Sequence, residues 1–253
     1  MTDHPMPVSV SRGLRGRGFT LLTPRNRYAS RLPDVAGAIV FKLVTPRLAP
    51  ARFGQYLLAL EPGGGTTAPV APGFEVFLYV LRGTVLVDHE AVGELAAGGF
   101  AYLPPDAAFG FTAAAQGPAE LLWIKRRLEE WPGHGAPPPG AGHRDDVAFE
   151  DVPGVPGLRR RELLDPAEPR HDFNMSLLRF DPGVGLDRVE IHDEEHGLYM
   201  TAGGGLYFLD GGWHEVVRDD FIYMAPYCPQ SFAATGPEPA EYLLYKDVYR
   251  DGF

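Results

Sequence analysis

The sequence repeats itself at a spacing of about 120 residues, and this internal repeat restricts the fold more than any other feature. At an offset of 120, five pairs of identical residues align: Phe53/Phe173, Leu57/Leu177, Leu58/Leu178, Pro62/Pro182 and Gly63/Gly183. One inserted residue makes the offset 121 and aligns six more pairs: Gly83/Gly204, Phe100/Phe221, Tyr102/Tyr223, Pro105/Pro226, Phe111/Phe232 and Lys125/Lys246. Self-similarity at a fixed period indicates a duplicated structural unit. We therefore expect two copies of one domain in tandem.

Each copy contains short apolar segments separated by turn-forming residues. In the first copy they follow an apolar run at residues 36–44 and comprise Gln55–Leu60, Val76–Leu81, Thr84–Val87, Phe100–Leu103 and Glu120–Lys125. Glycine (31) and proline (25) together exceed a fifth of the 253 residues and separate these segments. Short strands at regular spacing predict an all-β sandwich or barrel with few short helices. A turn is expected at residues 61–65, where three glycines follow a proline.

Composition along the chain predicts four regions. Residues 1–35 form an N-terminal arm, rich in Arg, Pro and Gly, with a candidate strand at residues 18–23. Residues 36–130 form the first barrel, and residues 146–253 form the second. Residues 131–145 form a linker, because residues 131–142 are rich in Pro and Gly.

Charge and cysteine content narrow the range of partners and compartments. The net charge of −10 argues against nucleic acid or an anionic membrane surface as a partner. Cys228 is the only cysteine, so no intrachain disulfide can form. No apolar run approaches the roughly 20 residues of a membrane-spanning helix, and residues 1–17 lack the apolar centre of a signal peptide. A soluble cytoplasmic protein is expected.

Three potential metal ligands lie within seven residues of the second copy: Glu190, His192 and His196. If this segment is a strand, even spacing places Glu190 and His192 on one face, and His196 can return to that face beyond a turn. Such a carboxylate and two imidazoles suit a divalent first-row metal. At an offset of 121, the first copy has Pro69, Ala71 and Glu75 at these positions. The ligand set therefore distinguishes the second copy from an otherwise parallel scaffold.

The spacing Glu190-x-His192-x3-His196-x6-Gly203 resembles the first motif of the cupin superfamily, with the ligand types permuted. Residues 225–230, Ala-Pro-Tyr-Cys-Pro-Gln, resemble the second cupin motif with Gln230 in place of histidine. The resemblance implies a bicupin: two double-stranded β-helix barrels, each a small antiparallel jelly roll. It implies a single metal, held in the C-terminal barrel by Glu190, His192, His196 and Gln230.

A Glu-His-His-Gln set is similar to that of the (S)-ureidoglycine aminohydrolase family, the bicupin enzymes of allantoin breakdown. The similarity extends to residues 172–174, 223–226, 229–230 and 242–248. It implies one Mn2+ per chain, although another divalent first-row metal would also suit the ligands. It also implies hydrolysis of (S)-ureidoglycine to (S)-ureidoglycolate and ammonia. The implied substrate-binding residues are Glu190, Gln230, Tyr242, Lys246 and Tyr207, and the implied catalytic residues are Glu190 and Lys246.

The last apolar stretch, residues 242–246, has its own alternation. It places Tyr242, Leu244 and Lys246 on one face. If that face is the barrel interior, Lys246 is a buried cation that requires an anion, either the substrate carboxylate or Glu190. Glu190 is the expected proton relay, because a carboxylate near a metal can pass a proton between water and a leaving amine. Residues 193–195 are expected to form a solvated turn.

Two other functions remain open at this point. One is a different cupin reaction on a small carboxylate, such as that of an isomerase or an iron-dependent dioxygenase. The other is a bicupin that binds a small metabolite without converting it. A homo-oligomer is expected in each case, since cupins often associate through sheet edges. The candidate strand at residues 19–23 could then pair with a neighbouring chain.

Overall fold

The computed structural model describes residues 12–48 and 50–248, and these residues are almost entirely β-structure. The described helices are two short 3-10 turns, at Pro24–Asn26 and Arg144–Asp146. No helix in these two ranges has the length and apolarity needed to span a membrane. The first four strands are β1 (Leu14–Arg15), β2 (Phe19–Leu22), β3 (Ala29–Ser30) and β4 (Val35–Val44). The predicted all-β class is confirmed.

Two groups of seven strands have the same order and the same pairing. The first group is β5 (Phe53–Thr66), β6 (Glu75–Arg82), β7 (Thr84–Val87), β8 (Gly93–Ala96), β9 (Gly99–Leu103), β10 (Phe111–Ala113) and β11 (Ala119–Arg126). Three short strands follow: β12 (Gly140–His143), β13 (Glu150–Asp151) and β14 (Leu158–Glu162). The strand β15 (Phe173–Phe180) then opens the second group. The rest of that group is β16 (His196–Ala202), β17 (Gly204–Leu209), β18 (Gly212–Val217), β19 (Phe221–Met224), β20 (Gln230–Ala234) and β21 (Ala240–Asp247).

Antiparallel pairing shows that the duplication is structural. In the first group β11 lies between β5 and β6, β6 pairs with β9, and β7 lies between β8 and β10. The second group repeats this pattern with β21 between β15 and β16, β16 paired with β19, and β17 between β18 and β20. In this second barrel, β18-β17-β20 is a separate three-stranded sheet that faces the larger one. The two-barrel prediction is therefore confirmed.

One predicted turn is wrong. The Glu-Pro-Gly-Gly-Gly stretch at residues 61–65 does not end a strand, because β5 continues through it to Thr66. Gly65 explains why: a Cβ there would lie 2.0 Å from the carbonyl oxygen of Phe111, so only glycine allows β10 to approach. The glycines let β5 bend, so that it pairs with β11 before them and with β10 at Gly65 within one continuous sheet. Its counterpart β15 ends at Phe180. The glycines do change the direction of the chain, but they do so by a bend within β5 and not by a turn between two strands.

The inserted residue of the second copy lies later than the sequence alignment placed it. Gly83 and Gly203 both have positive φ, at 74° and 62°, and both pack against the residues that begin the last strand of their barrel. Leu86 pairs with Thr112 in the same way that Leu206 pairs with Ala233. The offset is therefore still 120 between Leu86 and Leu206, and it has become 121 between Thr112 and Ala233. The extra residue lies in the hairpin between β17 and β18.

This register corrects the comparison of the two metal-ligand stretches. The Val70 N–H donates to the Phe109 carbonyl as the Glu190 N–H donates to the Gln230 carbonyl, so Val70 is the counterpart of Glu190. By the same offset, Pro72 and Val76 correspond to His192 and His196. The sequence alignment had assigned Pro69, Ala71 and Glu75 to these positions and was wrong by one residue. The conclusion that the first copy lacks the ligand set is unchanged.

The two barrels exchange strands. In the N-terminal arm, β2 pairs with β19 of the second barrel, and in the predicted linker β12 pairs with β9 of the first. The second barrel thus receives a strand from the segment that precedes the first barrel, and the first barrel receives a strand from the segment that precedes the second. The candidate arm strand was expected to reach a neighbouring chain, but it pairs within its own chain. The arm's first eleven residues and the last five of the chain lie outside the described residues.

Three apolar clusters divide the interior. One fills the first barrel and contains Leu78, Phe111 and Trp123. A second fills the other barrel and contains Leu198, Tyr207 and Tyr242. The third is built from both barrels and lies between them. The faces of β21 alternate as predicted. Tyr242 belongs to the cluster inside the second barrel and Leu244 packs against it, whereas Leu243 and Tyr245 belong to the cluster between the barrels.

A buried ionic cluster accompanies the apolar contact between the barrels. The Arg126 guanidinium is 1% exposed and lies 2.7 Å from Asp247, 3.2 Å from Asp172 and 3.7 Å from Glu75. Arg52 lies 3.6 Å from the other Asp247 oxygen. At the offsets of the repeat, Arg52 corresponds to Asp172, and Arg126 corresponds to Asp247. Equivalent positions at this interface therefore carry opposite charges in the two barrels.

Glu75 and Asp172 place two carboxyl groups together in this cluster. Glu75 Oε1 and Asp172 Oδ1 are both buried without a hydrogen-bond partner in the described structure, although the two side chains contact each other. Burial, and then Asp172, raises the pKa of Glu75 far above its usual range despite the nearby Arg126. A proton on Glu75 lets it donate to Asp172, which satisfies both orphaned oxygens. The pair is best described as two carboxyl groups that share one proton.

Candidate active site

The predicted ligands converge at the mouth of the second barrel, although not on one regular strand. Glu190 forms an isolated antiparallel bridge with Gln230, with N–H···O distances of 2.8 and 3.0 Å. His196 is the first residue of β16, and the intervening residues have no strand pairing. The expectation that Glu190 and His192 lie on one strand was wrong. A backbone bridge joins Glu190 to Gln230 instead, and a loop brings His192 close to His196.

His192, His196 and Gln230 form a compact polar group. The two imidazole rings are 4.6 Å apart between centroids, and the Gln230 amide nitrogen lies 3.0 Å from His192 Nε2. The Tyr207 hydroxyl donates to the Gln230 amide oxygen at 3.2 Å. For the amide to donate to His192 Nε2, the proton of the neutral imidazole must be on Nδ1. In that tautomer the Nε2 lone pair accepts the hydrogen bond from the Gln230 amide, so a metal at Nε2 would take the place of that bond.

His196 is buried and poorly satisfied by the protein alone. It is 4% exposed, and its Nδ1 has no hydrogen-bond partner. Burial, and then the charges of His192 and Lys246, hold the pKa of His196 well below its ordinary value. A neutral imidazole with an unused nitrogen is able to bind a cation. The orphaned nitrogen and the mixed nitrogen and oxygen donors of the group fit a divalent first-row metal.

Glu190 is the predicted ligand that lies apart from this group. Its side chain is exposed, and within residues 12–48 and 50–248 no three His, Cys, Asp or Glu side chains are gathered closely enough to hold a metal. Its charge still acts on the interior. Burial, Tyr242 and Glu190 raise the pKa of Tyr207, and burial and Glu190 raise the pKa of Tyr242. Both tyrosines, each 3% exposed, therefore remain protonated hydrogen-bond donors.

Lys246 has a carboxylate partner that the sequence interpretation missed. Its ammonium lies 3.0 Å from Glu194 Oε1, and the other Glu194 oxygen lies 2.9 Å from His192 Nδ1. The second contact lacks hydrogen-bond alignment. Burial acts to raise the pKa of Glu194, but the hydrogen bond from Lys246 and the other nearby donors outweigh it and lower that pKa. Lys246 was expected to be a buried cation if its face lay inside the barrel, with the substrate carboxylate or Glu190 as its anion. It is one-third exposed and paired with Glu194 instead.

The predicted solvated turn at residues 193–195 is therefore wrong for its last two residues. Glu194 links a histidine to the lysine, and Glu195 is 1% exposed. Glu195 accepts the backbone N–H of Arg52 and the hydroxyl of Tyr223 between the barrels, and burial raises its pKa to about 7. A run of three acidic residues gave no sign that its members would point in different directions. Cys228 is buried as expected, and burial raises its pKa to about 11.

The fold and the site together define a two-barrel cupin protein in which the second barrel carries the polar group. The fold is shared with oxalate decarboxylase of Bacillus subtilis, with a TM-score of 0.67 over 91% of this chain and 78% of that one, at 14% identity. The crystal structure of YlbA from E. coli is closer, with a TM-score of 0.84 and 31% identity over 96% of this chain and 97% of that one. No family model matches the chain.

Curated relatives define the family more narrowly. The (S)-ureidoglycine aminohydrolase of Escherichia coli is 32% identical over 255 residues, which cover 99% of this chain and 97% of that protein. The (S)-ureidoglycine aminohydrolase of Arabidopsis thaliana is 32% identical over 243 residues, which cover 95% of this chain and 79% of that protein. The chain belongs to the (S)-ureidoglycine aminohydrolase family.

Proposed function

We propose that this protein hydrolyses (S)-ureidoglycine to (S)-ureidoglycolate and ammonia as a step in allantoin catabolism. The observation that carries the proposal is the cluster of His192, His196 and Gln230 beside Tyr242 and Lys246, in a chain related to such enzymes over nearly its whole length. The substrate carbon bears an amine, a ureido nitrogen and a carboxylate. Such a substrate requires a cation for the carboxylate, several contacts at the stereocentre and a proton for the leaving amine.

The proposed metal ligands are Glu190, His192, His196 and Gln230, and the proposed ion is Mn2+, one per chain. The orphaned Nδ1 of His196 and the close approach of Gln230 to Nε2 of His192 support this assignment. Oxalate decarboxylase, which shares the fold at 15% identity, is described with Mn(II) centres, so a barrel of this kind can hold that ion. When bound, the metal supplies Lewis acidity and a water of lowered pKa.

Lys246 and the two tyrosines are the proposed substrate contacts, together with the amide of Gln230. The one-third exposed ammonium of Lys246 is accessible to a substrate carboxylate while Glu194 holds its orientation. Tyr207 and Tyr242 remain protonated. Tyr242 can donate to the carboxylate or the ureido oxygen, and Tyr207 can do so when it releases the Gln230 amide oxygen to which it donates here. These donors lie on different strands, β17 and β21, as chiral recognition requires.

Glu190 is the proposed proton carrier. Its side chain is exposed at the pocket mouth, while its backbone is bonded to Gln230 inside the site. A carboxylate in this position can take a proton from water and deliver it to the leaving amine. Lys246, the second proposed catalytic residue, contacts the substrate and stabilises its negative charge. Glu190 and Lys246 therefore have separate roles and separate consequences when they are replaced.

The test is ammonia release from freshly generated ureidoglycine, measured with and without Mn2+ and compared with the spontaneous rate. We expect Glu190→Gln to lower kcat by two orders of magnitude or more, a typical contribution of acid–base catalysis. Lys246→Met should chiefly raise KM. Lys42→Met, which removes an exposed lysine of the first barrel, is the control. Ammonia release no faster than the spontaneous reaction would refute the proposal.

Three further expectations stay predictions: a small-molecule ureido substrate with neither nucleic acid nor membrane as partner, assembly into a homo-oligomer, and a cytoplasmic location. The enzymes among the relatives support a small-molecule substrate. Light scattering of the purified protein would measure the oligomeric state directly.

A further inference from the structure

The first barrel retains one feature of the active barrel although it has lost the metal ligands. The chain contains only three lysines, Lys42, Lys125 and Lys246, against twenty arginines. Lys125 of the first barrel occupies the position of Lys246 in the second, since each pairs with the counterpart residue of the neighbouring strand: Val76 in one case and His196 in the other. Almost all other basic residues of the chain are arginines. A lysine at this position in both barrels therefore indicates that the position itself favours lysine.

Lys125 is surrounded by aromatic rings instead of carboxylates. Its ammonium lies 4.7 Å from the ring centroid of Trp123, 5.2 Å from that of Tyr56 and 5.5 Å from that of Phe74. No acidic side chain within the described ranges forms an ion pair with it, whereas Lys246 has Glu194. Cation–π contacts attract an ammonium but do not satisfy its three N–H donors, which stay available to an acceptor. The site thus has a cation in place and no anion.

A second donor in the same barrel is also unsatisfied. The Trp123 indole N–H is buried without a hydrogen-bond partner in the described structure, and its ring packs against Tyr56 and Phe111. An orphaned buried N–H is uncommon and requires an explanation. Ammonium and indole groups are donors only, so what the mouth of this barrel lacks is an acceptor.

An open cavity of about 500 Å3 borders Lys125 and also reaches Tyr56, Phe74 and Arg127. The Arg127 guanidinium lies 4.8 Å from the centroid of Phe74, the ring that Lys125 also contacts, and it forms no ion pair in the described ranges. Arg52 lines the cavity too, but Glu129 and Asp247 neutralise it. The cavity therefore carries two uncompensated cations in a protein whose net charge is −10.

We propose that the mouth of the first barrel is a second, metal-free binding site for a small organic carboxylate. Lys125 provides the primary ion pair and Arg127 provides a second cation at the rim. The rings of Tyr56 and Phe74 form an apolar wall that suits a short carbon skeleton. The cavity volume is within the range of small-molecule sites. The site is independent of the hydrolytic reaction and of the metal.

The electrostatics of Lys125 agree with this geometry. Burial, and then the charge of Lys42 on β4, lower the pKa of Lys125. A carboxylate beside the ammonium favours the charged form and would raise that pKa again. Because only the neutral amine is nucleophilic, binding should make Lys125 less reactive toward amine reagents.

The test is competitive reductive methylation of the full-length, Mn2+-loaded protein, followed by peptide mass spectrometry. Its three lysines make the labelling pattern simple to assign. The probes are malonate as a carboxylate, malonamide as its neutral analogue, and inorganic phosphate. Malonate should slow labelling of Lys125 at least fivefold and leave Lys42 unchanged, since one unit of pKa changes the neutral fraction about tenfold. Malonamide should have no effect.

A rim variant tests the second cation. Arg127→Met should weaken protection of Lys125 by malonate at least threefold. The matched control is Arg188→Met, which removes an exposed arginine paired only with its neighbour Asp187. Equal protection by malonamide, protection by phosphate alone, or unprotected Lys125 at saturating malonate would each overturn the proposal. Protection of Lys246 by malonate reports on the other barrel and does not affect this result.

Discussion

The shared proton between Glu75 and Asp172 predicts that rising pH destabilises the contact between the barrels. Glu75 is 0% exposed, and burial raises its pKa in the folded protein far above the value of about 4.5 that it has when unfolded. Between these two pKa values the folded state holds a proton that the unfolded state has released. The stability contributed by this group is therefore complete below pH 4.5 and is lost progressively toward the folded pKa.

The magnitude follows from one proton. A one-proton difference changes the free energy of unfolding by roughly 1.4 kcal/mol per pH unit, so the interval from pH 6 to pH 8 is worth up to about 3 kcal/mol. Glu75→Gln removes this contribution, because an amide donates to Asp172 as the protonated carboxyl does but cannot ionise. We expect the wild type to lose about 3 kcal/mol more than the variant over this interval.

Urea denaturation at pH 6 and pH 8 measures this difference directly. Other groups also titrate in this range, among them Glu195, whose pKa is about 7 in the folded protein, so only the difference between variant and wild type is interpreted. Glu94→Gln, which alters an exposed glutamate of β8, should preserve the wild-type pH dependence. If Glu75→Gln has the same pH dependence as the wild type, the carboxyl pair does not share a proton and the reasoning fails.

Three other predictions concern the interface and the metal site. Arg126→Met should lower the free energy of unfolding by about 3–5 kcal/mol, because it leaves Asp172 and Asp247 buried without the Arg126 cation. Thermal denaturation would measure the loss, and a change under about 1 kcal/mol would contradict the prediction. Glu194→Gln should weaken Mn2+ binding about 10–100-fold, the usual effect of losing a carboxylate beside a metal-binding histidine. Calorimetry would measure the Mn2+ affinity, and an unchanged affinity would show that Glu194 does not support the site. Removing the metal with a chelator should abolish ammonia release above the spontaneous rate and Mn2+ should restore it, whereas full activity in metal-free protein would exclude the assigned role.

The sequence was sufficient for the architecture because the repeat and the turn residues are properties of the whole chain. It was less informative where one residue decides the geometry. The alignment of Glu75 with His196 was wrong because the inserted residue lies in a hairpin with few identities, and only strand pairing located it. Glu194 and Glu195 are adjacent acidic residues with opposite surroundings, which no spacing rule distinguishes. Partners such as Glu194 and Lys246 are 52 residues apart and become neighbours only after the barrel closes.

The inverted charges between the barrels determine which surfaces can associate. If two N-terminal barrels met through this surface, Arg52 would face Arg126; two C-terminal barrels would place Asp172 against Asp247. Like charges brought together in a buried contact are costly, so each surface accepts the other and rejects itself. A chain cut between the barrels should therefore yield halves that assemble as a mixed pair. Because the two barrels pair with each other, only one of them has to carry the group of His192, His196 and Gln230.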